Sequence, residues 1–100
     1  MLHTVNKSPF ERGSLDSCLR LAKKGSAILL LEDGVYAAIS GTSASDKMSK
    51  AAKDNSVYVL GPDMKARGLA ESQLIDGIKV VDYAGFVDLA AENDGVTPWL

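Results

Sequence analysis

The chain has one cysteine among its 100 residues, Cys18, which excludes an internal disulfide framework and a cysteine-rich zinc site. Histidine is equally scarce: His3 and Cys18 are the only non-carboxylate metal-ligand candidates, and nothing spaces them as a motif. No metal or other cofactor is therefore expected. The longest apolar run, residues 27–31, is far too short to cross a bilayer, so no membrane partner is expected. No charged segment followed by an apolar one opens the chain, and the expected compartment is the reducing cytoplasm. Aromatics make up 6% of the residues and are not interleaved with basic clusters, and the net charge is −2. Both observations argue against direct nucleic-acid binding. Neither G-x-G-x-x-G nor G-x-x-x-x-G-K-[ST] occurs, so a nucleotide site is not expected.

What is present is a globular pattern. The hydrophobic fraction is 46%, too high for a disordered chain. One domain spanning residues 1–100 is expected. A domain this small has a thin core, and some apolar surface is left for partners.

Residues 1–5 are apolar and suit a buried first strand. Ser8-Pro9 and Arg12-Gly13 punctuate the loop that follows. Ser14 suits a helix N-cap, and Leu15, Cys18, Leu19 and Ala22 then fall on one face of a helix reaching about Lys24. Residues 27–32 read as a second strand, apolar on successive positions as in a strand covered on both faces. A short helix over 35–39 and a polar helix from Ser45 to about Lys53 come next. Residues 57–60 form the third strand. Gly61-Pro62 opens a helix that Gly68 stops. Residues 78–81 form the fourth strand. Asp82 caps a last helix with Tyr83, Phe86, Val87 and Ala90 on one face, and residues 96–100 are left as a tail. Strands alternating with helices predict an α/β domain with a mainly parallel four- or five-stranded sheet and helices on both faces.

The chemistry-bearing residues are few. His3 lies in a strand, where a packed histidine is commoner than a general base. Glu32 and Asp33 form an acidic pair at a strand end, the ordinary place for a turn residue and a helix cap. A reactive thiol wants exposure, positive charge or a helix N-terminus. Cys18 sits mid-arc on an apolar face, beyond the first turn and near Asp16, so a buried structural thiol is expected. No nucleophile elbow accompanies the serines. The residues by themselves describe an α/β domain with no evident active site, which suits a binding or subunit role.

Four segments in order change that picture: MLHTVNKSPFER, LLLEDGVYAAISG, VYVLGPDMKARGL and VVDYAGFVDL, followed by a tryptophan at the penultimate position. Together they resemble the DsrH/TusB family across essentially the whole chain. The resemblance implies a single DsrE-like domain acting as a non-catalytic or secondary subunit of a sulfurtransferase complex. It implies DsrE/TusD-like and DsrF/TusC-like partners in a heterohexamer, a TusA-like persulfide donor and a DsrC/TusE-like acceptor. The principal sulfur-carrying cysteine of such complexes belongs to the DsrE/TusD-type partner, and no cysteine here follows the second or third strand. Cys18 matches a cysteine of DsrH-type members, which keeps a secondary persulfide role open and weights the expectation toward a DsrEFH-type complex in sulfur oxidation. The alternatives are a TusB-like subunit for tRNA wobble 2-thiouridine synthesis, a free-standing Cys18 sulfurtransferase, and a small-ligand module at the sheet's C-terminal edge. Phe10, Tyr36, Met48 and Trp99 lie outside the clearest core patterns and are the candidate interface anchors.

Overall fold

The computed structural model describes residues 1–11, 13–93 and 95–100. Five strands form one parallel sheet: β1 (Leu2–Val5), β2 (Ala27–Leu30), β3 (Ser56–Leu60), β4 (Lys79–Val81) and β5 (Val96–Trp99). Their order is β4-β3-β2-β1-β5. Four α-helices connect them: α1 (Ser14–Leu21), α2 (Ser45–Asp54), α3 (Gly61–Ala66) and α4 (Tyr83–Glu92). A 3-10 helix, Glu32–Ala38, precedes α2, and another, Glu71–Gln73, precedes β4.

The order of the strands decides which helix lies on which face. The first four strands step in one direction, and right-handed crossovers then place α1, α2 and α3 on the same side, the front, leaving the opposite side as the back. The chain next jumps back past β1 to form β5, so α4 must lie on the other side. The packing agrees. Val5, Ile28, Leu30, Val57 and Val59 meet Leu15 and Cys18 of α1, Met48 and Ala51 of α2, and Met64 of α3 in one cluster. Leu2, Ala27, Leu29 and Leu60 meet Leu89, Phe86 and Ala90 of α4 in a second. Successive residues of β2 and β3 alternate between these clusters. β2 is central and buried at all four positions, which explains its unbroken apolar sequence.

Several sequence expectations need correction. The sheet has five strands because residues 96–99 pair with β1 instead of forming a loose tail. Pro98 is compatible with this because β5 is an edge strand. Ser14 does not cap α1: Gly13 holds the N-cap position, and the Ser14 hydroxyl donates to the Leu100 carbonyl at 2.9 Å. Ser45 begins α2 as expected, with Ala44 at the N-cap position, and its Oγ accepts from the Thr42 N–H at 3.0 Å. Asp82 does cap α4, accepting from the Gly85 N–H at 2.8 Å. Tyr83 and Val87, expected on the core face of α4, are 60% and 66% exposed, while Phe86, Leu89 and Ala90 face the sheet.

Candidate functional site

In an open α/β sheet, ligands favour the crevice at the strands' carboxyl ends where the strand order reverses. Here that point lies between β1 and β5, where Val5 is opposite Trp99. The Ser14–Leu100 hydrogen bond closes it from the α1 side. Asn6 follows β1 there, and its Oδ1 is buried without a hydrogen-bond partner among the described residues. Beside it the 3-10 helix presses on the strand end. A Cβ on Gly34 would stand 2.0 Å from the Val5 carbonyl oxygen, so only glycine fits. Glu32 enters this turn with φ of 48°, the left-handed region, which costs a non-glycine residue about 1 kcal/mol.

A polar strap holds the same edge. The Glu32 N–H donates to Asp63 Oδ2 at 2.6 Å. The Arg67 guanidinium reaches Asp33 Oδ1 with two nitrogens, each at 3.0 Å, and the Asp63 carbonyl at 3.1 Å. Glu32 and Asp33 thus join the start of the 3-10 helix to α3, a structural role related to the expected turn chemistry. A cleft of about 380 Å³ lies beside Gly61 and Met64, with Lys65 and Glu71 as its charged walls. These opposite charges converge on no recognisable ligand chemistry.

Cys18 lies one turn into α1, with no exposed surface, in the cluster formed by β1, β2 and the front helices. Desolvation pushes its thiol up to about 11, so at neutral pH it is almost wholly protonated. It is a free thiol. No histidine serves it as a base: His3 Nδ1 instead accepts a hydrogen bond from Trp99 Nε1 at 3.1 Å, and the rings stand 6.2 Å apart. Burial first, and the N-terminal amino charge second, lower the His3 pKa below its usual 6.5. Among the described residues no cluster of three or more His, Cys, Asp or Glu could hold a metal ion.

The expected interface anchors separate into different environments. Phe10 is 53% exposed and remains available. Tyr36 is half-buried in the first 3-10 helix. Trp99 is half-buried against the front core and tied to His3. Met48 is fully buried, so its expected place outside the core is corrected: Met48 and Ala51 lie on the inward face of α2, with the buried N-cap residue Ala44 one turn before them. Other apolar residues, not named as interface anchors from the sequence, are exposed as well. Tyr83 and Val87 stand one turn apart on the outer face of α4, and Val96 and Leu100 mark the β5 edge. The i, i+4 spacing of the first pair was a legible signal, but it could not distinguish an inward stripe from an outward one.

The family model described as "DsrH like protein" matches residues 7–96. The chain belongs to the DsrH family. Curated relatives span its length. It is 38% identical to Protein TusB of Pectobacterium parmentieri and 41% identical to Protein TusB of Erwinia tasmaniensis, each over 99% of this chain and 100% of the relative. Protein TusB of Escherichia coli O157:H7 is 37% identical over the same span. Among solved structures, the ychN protein from E. coli superposes with a TM-score of 0.83, covering 97% of both chains at 20% identity. A Methanobacterium thermoautotrophicum protein of unknown function gives 0.74 at 15% identity, covering 97% of this chain and 95% of the other. These likenesses establish the fold. The names of the sequence relatives favour the TusB alternative over the expected DsrEFH type.

Proposed function

We propose that this chain is a TusB-like, non-catalytic subunit of a sulfur relay that supplies sulfur for 2-thiolation of the tRNA wobble uridine. The end-to-end match to relatives named TusB carries this reading. The environment of Cys18 supports it, because a thiol raised to about 11 in an apolar core is poorly suited to accept sulfane sulfur. In this reading a TusD-like partner supplies the persulfide cysteine, a TusC-like partner completes the heterohexamer, and a TusA-like donor and TusE-like acceptor visit it in the cytoplasm. The outer face of α4, with Tyr83 and Val87, is the subunit contact, since exposed aromatic and aliphatic anchors suit interface cores. The burial of Cys18 weighs equally against a free-standing sulfurtransferase.

The test is complementation of a strain lacking its own TusB. The wild-type chain and Cys18→Ala are both expected to restore 2-thiouridine in bulk tRNA and to co-purify with the two partner subunits. Failure of the wild type to restore the nucleoside would refute the tRNA assignment. Failure of Cys18→Ala alone, with assembly intact, would make Cys18 a relay station.

A further inference from the structure

The front helices leave a groove between them whose charge is opposite to that of the whole chain. Asp16 of α1 and Lys47 of α2 bridge one end at 2.6 Å. One turn further along each helix, Arg20 and Lys50 line the groove together with the apolar side chains of Leu19 and Ala51. Asp54 and Asn55 line the far end. Lys47, Lys50, Ala51 and Asp54 recur at helical spacing, so α2 presents them as one stripe. The volume is about 350 Å³, at the lower end of the range for ligand clefts. Lys47 is committed to Asp16, whereas Arg20 and Lys50 form no salt bridge among the described residues. Two cations therefore stand over an apolar floor. At the Asn55 end, the side-chain Oδ1 is buried without a partner among the described residues.

We propose that this groove binds an acidic segment of a protein partner, with aliphatic side chains on the Leu19–Ala51 floor and carboxylates against Arg20 and Lys50. Charge complementarity selects this occupant. A nucleic-acid strand fits less well: the walls contain no aromatic residue on which a base could stack, Asp54 opposes a continuous phosphate backbone, and the chain carries a net −2. A peptide instead changes character along its length. It can present carboxylates at the cationic end and backbone N–H groups near Asp54 and Asn55. The inference goes beyond the relay assignment and does not depend on which acceptor the relay serves.

The experiment uses the full chain and three fluorescein-labelled probes: a short peptide of the repeat Glu-Glu-Leu, its Lys-Lys-Leu counterpart, and a single-stranded RNA. Anisotropy measures affinity, and amide shifts in a nitrogen–proton spectrum locate the contact. The acidic peptide is expected to saturate, to weaken with added salt, and to shift residues 19, 20, 50, 51 and 55. Combining Arg20→Glu with Lys50→Glu should weaken it by about tenfold or more, because both exposed charges then repel the ligand. Unchanged circular dichroism would show that the double variant still folds. Absence of saturation by the acidic peptide, shifts confined to other surfaces, or tighter RNA binding at the same residues would each overturn the proposal.

Discussion

The protonation of Cys18 makes a prediction that kinetics can test directly. Its pKa rises from 9.0 to about 11 on folding, through desolvation in the front core. Two units reduce the thiolate population near neutral pH about a hundredfold, before restricted access is counted. Iodoacetamide, which reacts with the thiolate, should therefore label Cys18 in the native chain at least about a hundredfold more slowly than in urea. Intact-mass spectrometry over time measures both rates. Native labelling within tenfold of the unfolded rate would refute the reasoning, and would mean that α1 opens readily or that the thiol lies in a more favourable field. The same shift affects stability. The folded pKa is the higher one, so the contribution is fully present below pH 9 and is lost as pH rises toward about 11. The loss approaches about 2–3 kcal/mol as an upper bound. Cys18→Ala should remove this alkaline slope while leaving a small void, whereas Cys18→Ser should cost about 1–3 kcal/mol by placing a hydroxyl among apolar atoms.

Three further outcomes follow from other contacts. Gly34→Ala should destabilise the chain by about 2 kcal/mol or more in urea denaturation, because its Cβ would meet the Val5 carbonyl at 2.0 Å; a loss below 0.5 kcal/mol would show that the 3-10 helix shifts freely. Arg67→Ala should cost only about 1 kcal/mol, since the guanidinium is 24% exposed but its partner Asp33 is 53% exposed and screened by solvent, and the same denaturation series measures it. Protonation of His3 should disrupt its bond with Trp99. Because the folded pKa is depressed, this stability is present above pH 6.5 and falls as pH drops below it. Fluorescence of the single tryptophan in a pH series should show the transition, and His3→Gln should abolish it.

The legibility of the fold follows from burial. β2 and β3 sit inside the sheet, and their apolar runs marked them plainly. β5 is an edge strand interrupted by Pro98, so it carried neither an unbroken run nor a clean alternation. Asp82 was readable as a cap because its partner, Gly85, is three residues away. Ser14 looks like a cap in sequence because its actual partner, Leu100, lies at the other end of the chain. Met48 reads as a surface residue because α2 is polar overall, yet Met48 and Ala51, with Ala44 at the N-cap, are enough to seat the helix. The α1–α2 groove was not legible at all. Arg20 and Lys50 come together only when two helices distant in sequence become neighbours.

The last helix shows why the proposed interface is the hardest part to read. Among the described residues, α4 is the helix that covers the back of the sheet, and it presents Phe86, Leu89 and Ala90 to it, while Tyr83 and Val87 face outward. A helix apolar on two sides gives periodicity no direction, so the sequence supports either face as the core. An assembly contact on the outward side removes this ambiguity, because both apolar sides are then buried. Val87→Asp should therefore leave the melting temperature of the isolated chain nearly unchanged, since that side chain is 66% exposed. In the proposed complex the same substitution places an unpaired charge in an apolar contact and should cost several kcal/mol of association. Analytical ultracentrifugation of the chain with its two partner subunits measures that loss. Normal assembly with Val87→Asp would place the contact elsewhere and leave the outward stripe as ordinary surface.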